Sequence, residues 1–184
     1  MKEVFEFLYL GNLMAGKGVL VLLDACEQLK EKPLAFICHV VGASSPELSV
    51  EDVQQIVQQK GLQNHVVVHG PLYNEAKEAM LEQADAFVFP TYIDCFPLVV
   101  LEAMKYSLPV ISTEEGAIPD MVQDGVNGIL TERRDAHSLA AAMSRMIEDP
   151  KIAVCMGRRG AEIYRERYTV DCYLKNICDI LHRV

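Results

Sequence analysis

PTYIDCFPLVVLEAMKYSLPVISTEEGAIPDMVQDGVNGIL, Pro90 to Leu130, decides the fold. A strand ends at Pro90, a loop follows over Thr91–Pro97, and a helix opens behind Pro97 and runs over Leu98–Tyr106. A second strand at Pro109–Ser112, a short helix at Ile118–Gln123 and a third strand at Gly128–Leu130 complete the stretch. Strands alternating with helices imply crossover units. The flanking run AFVFP is nearly continuously apolar, as a parallel strand covered on both faces should be.

The same alternation extends toward both ends of the chain. Strands are expected at Glu6–Leu10, Ala35–Val41, His65–His69 and Ala86–Pro90. Helices are expected at Lys17–Lys30, Ser49–Lys60, Asn74–Gln83 and Ala136–Glu148, with two more over Lys151–Arg167 and Val170–His182. Ser49 opens SVED, close to a capping box, and Asn74 opens NEAKEAM as a second N-cap. Six strands in a mostly parallel sheet with helices on both faces make an α/β three-layer sandwich. No linker, repeat or low-complexity segment divides residues 1–184, so a single domain is expected.

Composition bounds what this domain does. At 184 residues and 51% hydrophobic it can bury a sizeable core. The formal net charge of −9 argues against nucleic acid as the partner. No apolar run reaches the ~18 residues of a membrane span, and acidic residues interrupt the N-terminus where a secretory signal would be apolar. The six cysteines include no pair at two-residue metal spacing, and Cys26 and Cys38 lie in apolar stretches. A reducing, cytoplasmic setting follows, without structural zinc or a disulfide framework.

In an open parallel sheet, ligands sit beyond the carboxyl ends of the strands. The first such loop, GNLMAGKG (Gly11–Gly18), has all of a P-loop except its last position. A P-loop needs Ser or Thr there to hold Mg²⁺, and this chain has Gly18. Asp85 lies at the wrong end of its strand to serve that metal. A dinucleotide fingerprint is also lacking. Taken alone, the loop reads equally well as a turn with a solvated Lys17.

Asp94 and Glu102 carry more information. Asp94 lies in the loop before the helix, and Glu102 lies roughly 6 Å along its axis from Leu98. The free N–H groups and dipole at that helix start suit an anion between the two carboxylates. The carboxylates can accept hydrogen bonds from sugar hydroxyls. Without a ligand, Asp94 reads as a cap and Glu102 as a half-exposed helix residue.

Together, Glu102-Ala103-Met104, Pro109-Val110-Ile111, Gly116 and Asp124-Gly125-Val126-Asn127-Gly128 resemble the donor-binding half of retaining glycosyltransferases with the B-type two-domain fold. LYLGNLMAGKGV resembles that family's phosphate loop. The likeness covers about Phe7 to Glu148 and implies a Rossmann-like fold. It also implies that Glu102 bonds the nucleotide ribose and Asp94 the donor sugar. Lys17 would pair with the diphosphate, beside Gly11 and Asn12. Backbone around Cys95, Phe96, Pro97 and Leu98 would take phosphate; Pro97 has no N–H, which leaves Phe96 and Leu98 as donors. Gly42 would allow close approach of the nucleotide, and Gly70 to Leu72 would flank the base.

The implied reaction moves a sugar from a UDP- or GDP-linked donor with retained configuration, in cell-surface glycan synthesis, with no cofactor or metal. Three positions depart from the pattern: Asp94 replaces Glu, Cys95 replaces Gly, and Asn12 replaces a basic residue. A non-catalytic donor-like domain and a sugar-nucleotide epimerase of the same architecture therefore stay open. An enzyme of this kind also needs an N-terminal acceptor domain. The resemblance thus implies that this chain is the donor half of a longer enzyme, inactive alone, with Met1 an added initiator. No membrane span is expected, though a parent could associate with a membrane. The final helix, apolar at Val170, Tyr173, Leu174, Ile177 and Leu181, would lean on the absent domain or drive self-association.

Overall fold

The computed structural model describes residues 4–182; the expectation attached to Met1 lies outside them. Six strands, β1 (Phe5–Leu10), β2 (Phe36–Val41), β3 (Val66–Gly70), β4 (Ala86–Phe89), β5 (Val110–Thr113) and β6 (Gly128–Thr131), form one sheet in the order β3-β2-β1-β4-β5-β6. Every pairing is parallel. The helices are α1 (Val19–Leu29), α2 (Val50–Gln59), α3 (Asn74–Gln83), α4 (Leu98–Lys105), α5 (Ile118–Met121), α6 (Ala136–Glu148), α7 (Pro150–Arg167) and α8 (Val170–Leu181).

Strand order reverses beside β1, whose neighbours are β2 and β4. Such a switch point opens a crevice between the loops that leave the two strands. The register places Phe5, Phe7 and Tyr9 on one face, beside Phe36, Cys38 and Val40. These six are buried, with Cys26 of α1 meeting Cys38. That contact and burial push the Cys26 thiol upward, as suits a packed hydrophobe. On the outside of the sandwich α1 packs against α6, and α4 against α7.

The Ser49 box forms as expected. Ser49 Oγ accepts from the Asp52 N–H at 3.0 Å, and Asp52 Oδ2 accepts from the Ser49 N–H at 2.9 Å. Asn74 does not cap its helix. Tyr73 holds the N-cap position without a side-chain bond, and Asn74 is the first helical residue, at φ 49°. Asn tolerates this left-handed backbone because its short polar side chain adds little steric cost. Lys17 is likewise not on α1: it ends a 3₁₀ turn (Ala15–Lys17), and Gly18 at φ 81° separates that turn from the helix. Glycine takes this left-handed backbone at no steric cost, and the break falls there.

Buried hydroxyls tie the carboxyl ends of β4, β5 and β6 together. Ser112 Oγ donates to the Phe89 carbonyl at 2.6 Å, Thr113 Oγ1 to the Thr91 carbonyl, and Thr131 Oγ1 to the Ser112 carbonyl at 3.0 Å. Buried hydroxyls bonded in this way make a rigid floor for the loops above. The turn Asp124–Gly128 is structural. Buried Asn127 bonds Met121 and Gln123, and a β-carbon on Gly128 would overlap the Val110 carbonyl.

Candidate functional site

Two loops build one wall of the crevice. The Gly11 N–H donates to the Val41 carbonyl at 3.1 Å and the Leu13 N–H to Ala43 at 2.9 Å. Ser45 Oγ donates to Leu13 O at 2.6 Å, and Glu47 Oε2 accepts from the Ala15 N–H at 3.0 Å. Underneath, buried Tyr9 donates its hydroxyl to the Asn12 carbonyl at 3.3 Å. Burial alone drives that phenol upward, so it stays a donor. Gly42 is required at this contact: a β-carbon there would overlap the Gly11 carbonyl. The close approach at Gly42 is thus between two stretches of backbone.

A cleft of about 230 Å³ opens beside this wall. Gly11, Asn12, Gly42, Leu72 and Glu102 line it, so five of the residues singled out in the sequence converge there. Gly70 lies just behind, at φ 71°, with its carbonyl accepting from the Gly42 N–H at 2.9 Å. Glu102 reaches the cleft from the second turn of α4. Its partner is Lys77 of α3, whose Nζ stands 2.9 Å from each carboxylate oxygen. Sequence reasoning missed Lys77, which also lines the cleft. One signal pointed to it: a lysine near a helix start works against the helix dipole and so needs a local anion.

Lys17, Asp94, Cys95, Phe96, Pro97 and Leu98 do not line that cleft. They form a second locus across the switch point. Lys17 Nζ contacts Asp94 Oδ2 at 2.7 Å and the Ile93 carbonyl at 3.2 Å. The Asp94 side chain is only 14% exposed, so its charge is matched within the protein. The Gly16 carbonyl anchors this locus, accepting from Thr91 Oγ1 at 3.0 Å and from the Tyr92 and Ile93 N–H groups at 2.9 and 3.2 Å. From the other side Gly116, at φ 52°, packs under the Asp94 and Cys95 carbonyls, where a β-carbon would overlap them.

Asp94 does not cap α4. Pro97 holds the N-cap position with no side-chain bond. The N–H groups of Phe96 and Leu98 have no intramolecular partner among the described residues. Both side chains are exposed, as is Cys95. The arrangement therefore offers unpaired N–H donors at a helix start, a lysine on each side and two carboxylates. Such a site can take an anion flanked by hydroxyl-bearing groups.

A larger apolar cavity of about 310 Å³ lies at the opposite end of the sheet, beside Phe5, Leu34 and Ala35. It has none of these polar groups; its charged lining residue is Asp85, whose carboxylate accepts from the Glu6 N–H at 2.9 Å. Convergent polar groups, not volume, mark a binding site. Among the described residues, no group of three or more His, Cys, Asp or Glu could hold a metal. No helix among them is long and apolar enough to cross a membrane.

Known proteins resemble this chain in sequence and share its fold. WcaL of Escherichia coli strain K12, named as a colanic acid biosynthesis glycosyltransferase, is 31% identical over 153 residues, which cover 78% of this chain and 37% of WcaL. A crystal structure of HepE from Anabaena in complex with UDP superposes with a TM-score of 0.88 at 24% identity, covering 99% of this chain and 50% of HepE. The C-terminal domain of the group 1 family glycosyl transferase LpcC of Francisella tularensis matches with a TM-score of 0.81 at 24% identity, over 90% of this chain and 87% of that domain. The chain spans well under half the length of WcaL. The family model for glycosyl transferases group 1 matches residues 2–163, and the chain belongs to that family.

Proposed function

We propose that this chain is the donor-binding half of a glycosyltransferase, which holds a nucleotide-sugar by its nucleoside and diphosphate. The observation that carries the reading is the convergence of Gly11, Asn12, Gly42, Leu72 and Glu102 on one cleft, next to Lys17, Asp94 and the α4 start. In this reading the nucleoside fills the cleft and Glu102 accepts from the ribose. The diphosphate lies over the Phe96 and Leu98 N–H groups within reach of Lys17, and Asp94 meets the sugar. HepE, with this fold, binds UDP, which favours a uridine or similar nucleoside. The site's charged groups would stabilise the departing diphosphate as the glycosyl group develops oxocarbenium character, with retained configuration. An acceptor domain elsewhere in a longer, cytoplasmic enzyme would complete the site, and WcaL's name suggests glycan synthesis for that parent. Calorimetry of the 184-residue chain with UDP, GDP and ADP is the test. Binding of one of them supports the reading, and no binding of any at millimolar concentration overturns it.

A second reading rests on Asn12 and on the pairing of Lys17 with Asp94, which commits that lysine to a carboxylate at the phosphate position. A donor-like domain that has lost transfer and serves as an interaction module would look like this. Glu102→Ala in the longer enzyme separates the two: lost transfer with the fold intact excludes the module.

A further inference from the structure

We propose that Tyr73 is the platform on which the nucleobase of the donor stacks. This rests on the donor-domain reading above. Tyr73 holds the N-cap position of α3. Lys77 lies one turn further along the same face, its N–H reaching the Tyr73 carbonyl at 3.5 Å. Lys77 is turned into the cleft, where it meets Glu102. Tyr73 therefore stands at the mouth of the same cleft, which it lines together with Leu10, Val41, Pro71 and Leu72. The short connection from β3 has left-handed backbone at both ends, Gly70 at φ 71° and Asn74 at φ 49°. That backbone sets where Tyr73 stands before any ligand arrives, which lowers the cost of using it.

The fold makes no use of this ring. Tyr73 is 69% exposed. Among the described residues its hydroxyl has no hydrogen-bond partner, and no ring or cation packs on it. Other tyrosines are committed: Tyr92 and Tyr106 carry Arg134 and Lys105, and Tyr9 and Tyr168 donate to backbone carbonyls. An uncovered aromatic face beside an apolar slot suits a flat aromatic ligand group. A phosphate gains nothing from such a wall. The polar side chains that line the slot are Asn12, Lys77 and Glu102, and the last two bond each other. Stacking reads the face of a base and not its edge, so it serves pyrimidine and purine alike.

The experiment is calorimetry of the 184-residue chain with UDP, GDP and ribose 5-diphosphate, which lacks the base, for the native protein, Tyr73→Ala and Tyr73→Phe. Native protein should bind a nucleotide about tenfold or more tightly than ribose 5-diphosphate, the scale of one base stacked on an aromatic ring. Tyr73→Ala should remove most of that advantage and leave ribose 5-diphosphate binding unchanged. Tyr73→Phe keeps the ring and should keep the native affinities. Circular dichroism confirms that each variant is folded. A folded Tyr73→Ala that retains the native advantage overturns the proposal. So does equal weakening of ribose 5-diphosphate, which would give Tyr73 a structural role. A Tyr73→Phe as weak as Tyr73→Ala overturns it too, because the hydroxyl would then be the contact. If the native chain binds ribose 5-diphosphate as tightly as the nucleotides, this proposal fails and the donor-domain reading stands. If it binds none of the three, the donor-domain reading fails and this proposal with it.

Discussion

Lys17 and Asp94, 77 positions apart in sequence, meet at 2.7 Å between the loops that leave the paired strands β1 and β4, where the strand order reverses. The pair closes the crevice electrostatically before any ligand arrives. A diphosphate reaching Lys17 must compete with the carboxylate already there.

Opposite effects follow from changing the two partners. Lys17→Gln should weaken diphosphate binding about tenfold, the loss of one charge-assisted bond, and leave free nucleoside unaffected. Asp94→Asn removes the competitor, so diphosphate binding should be no weaker and up to a few-fold tighter. Titration of each variant with UDP and with uridine checks this. Equal weakening of UDP binding by both substitutions would show that Asp94 positions the lysine and does not compete with the ligand.

Gly18→Ser would complete the P-loop pattern, yet it should damage the protein. Gly18 sits at φ 81°, and a β-carbon there would overlap the Pro90 carbonyl. Left-handed strain and the forced shift of Pro90 together cost about 3 kcal/mol. For a domain of this size that corresponds to a Tm lowered by roughly 10 °C. Thermal unfolding followed by circular dichroism reads it, and a Gly18→Ser protein with native Tm would refute the packing argument. The incomplete P-loop is explained by the same contact: the glycine lets the β1 loop pass under the end of β4.

Much of this was legible beforehand. Apolar runs in alternation with amphipathic ones revealed all six strands and the helices after them, because burial on both faces leaves short continuous apolar runs between helices of amphipathic period. Glu102 stood out as an acid among buried neighbours, and the structure brings it to the cleft. Its lysine did not stand out. Lys77 and Glu102 are 25 residues apart on different helices, and only the β3-to-β4 crossover over the sheet brings them together. The helix start at Lys17 and the capping role of Asn74 were misread for a local reason, though the helix over Asn74–Gln83 has the expected bounds. Gly18 and Asn74 both have left-handed backbone, and hydrophobic period carries no trace of backbone handedness.

Stability should rise with pH through the weakly acidic range, in part through His69. Partial burial holds its imidazole below the ordinary 6.5, so the folded protein resists the proton that the unfolded chain accepts. The unfolded state then binds more protons, and stability present above about pH 6.5 is lost as pH falls. His39 faces it, with Nδ1 3.0 Å from His69 Nε2, and Glu6 lies 3.7 Å from the far side of the His39 ring. The His69 ring is still open to water, so the effect is small. Urea unfolding at several pH values should give a shallower slope for His69→Gln, and an unchanged slope would assign the dependence elsewhere.

The last helix should make the isolated chain self-associate. α8 contains no buried residue, and Val170, Tyr173, Leu174, Ile180 and Leu181 are all more than half exposed. They recur at helical spacing, and α8 has its own N-cap, the Thr169 hydroxyl accepting from the Cys172 N–H at 3.3 Å. An apolar stripe on a capped helix, packed along α7 and leaving these side chains exposed, favours a partner surface. Sedimentation velocity over a wide concentration range should show reversible association. Leu174→Glu, at the middle of the stripe, should abolish it. Since Leu174 packs against nothing in the core, the same substitution should change unfolding free energy by no more than about 0.5 kcal/mol. Association that persists in Leu174→Glu would place the contact on another face. A large loss of stability would mean that α8 belongs to the folded core of this domain, and its apolar stripe would then need no partner.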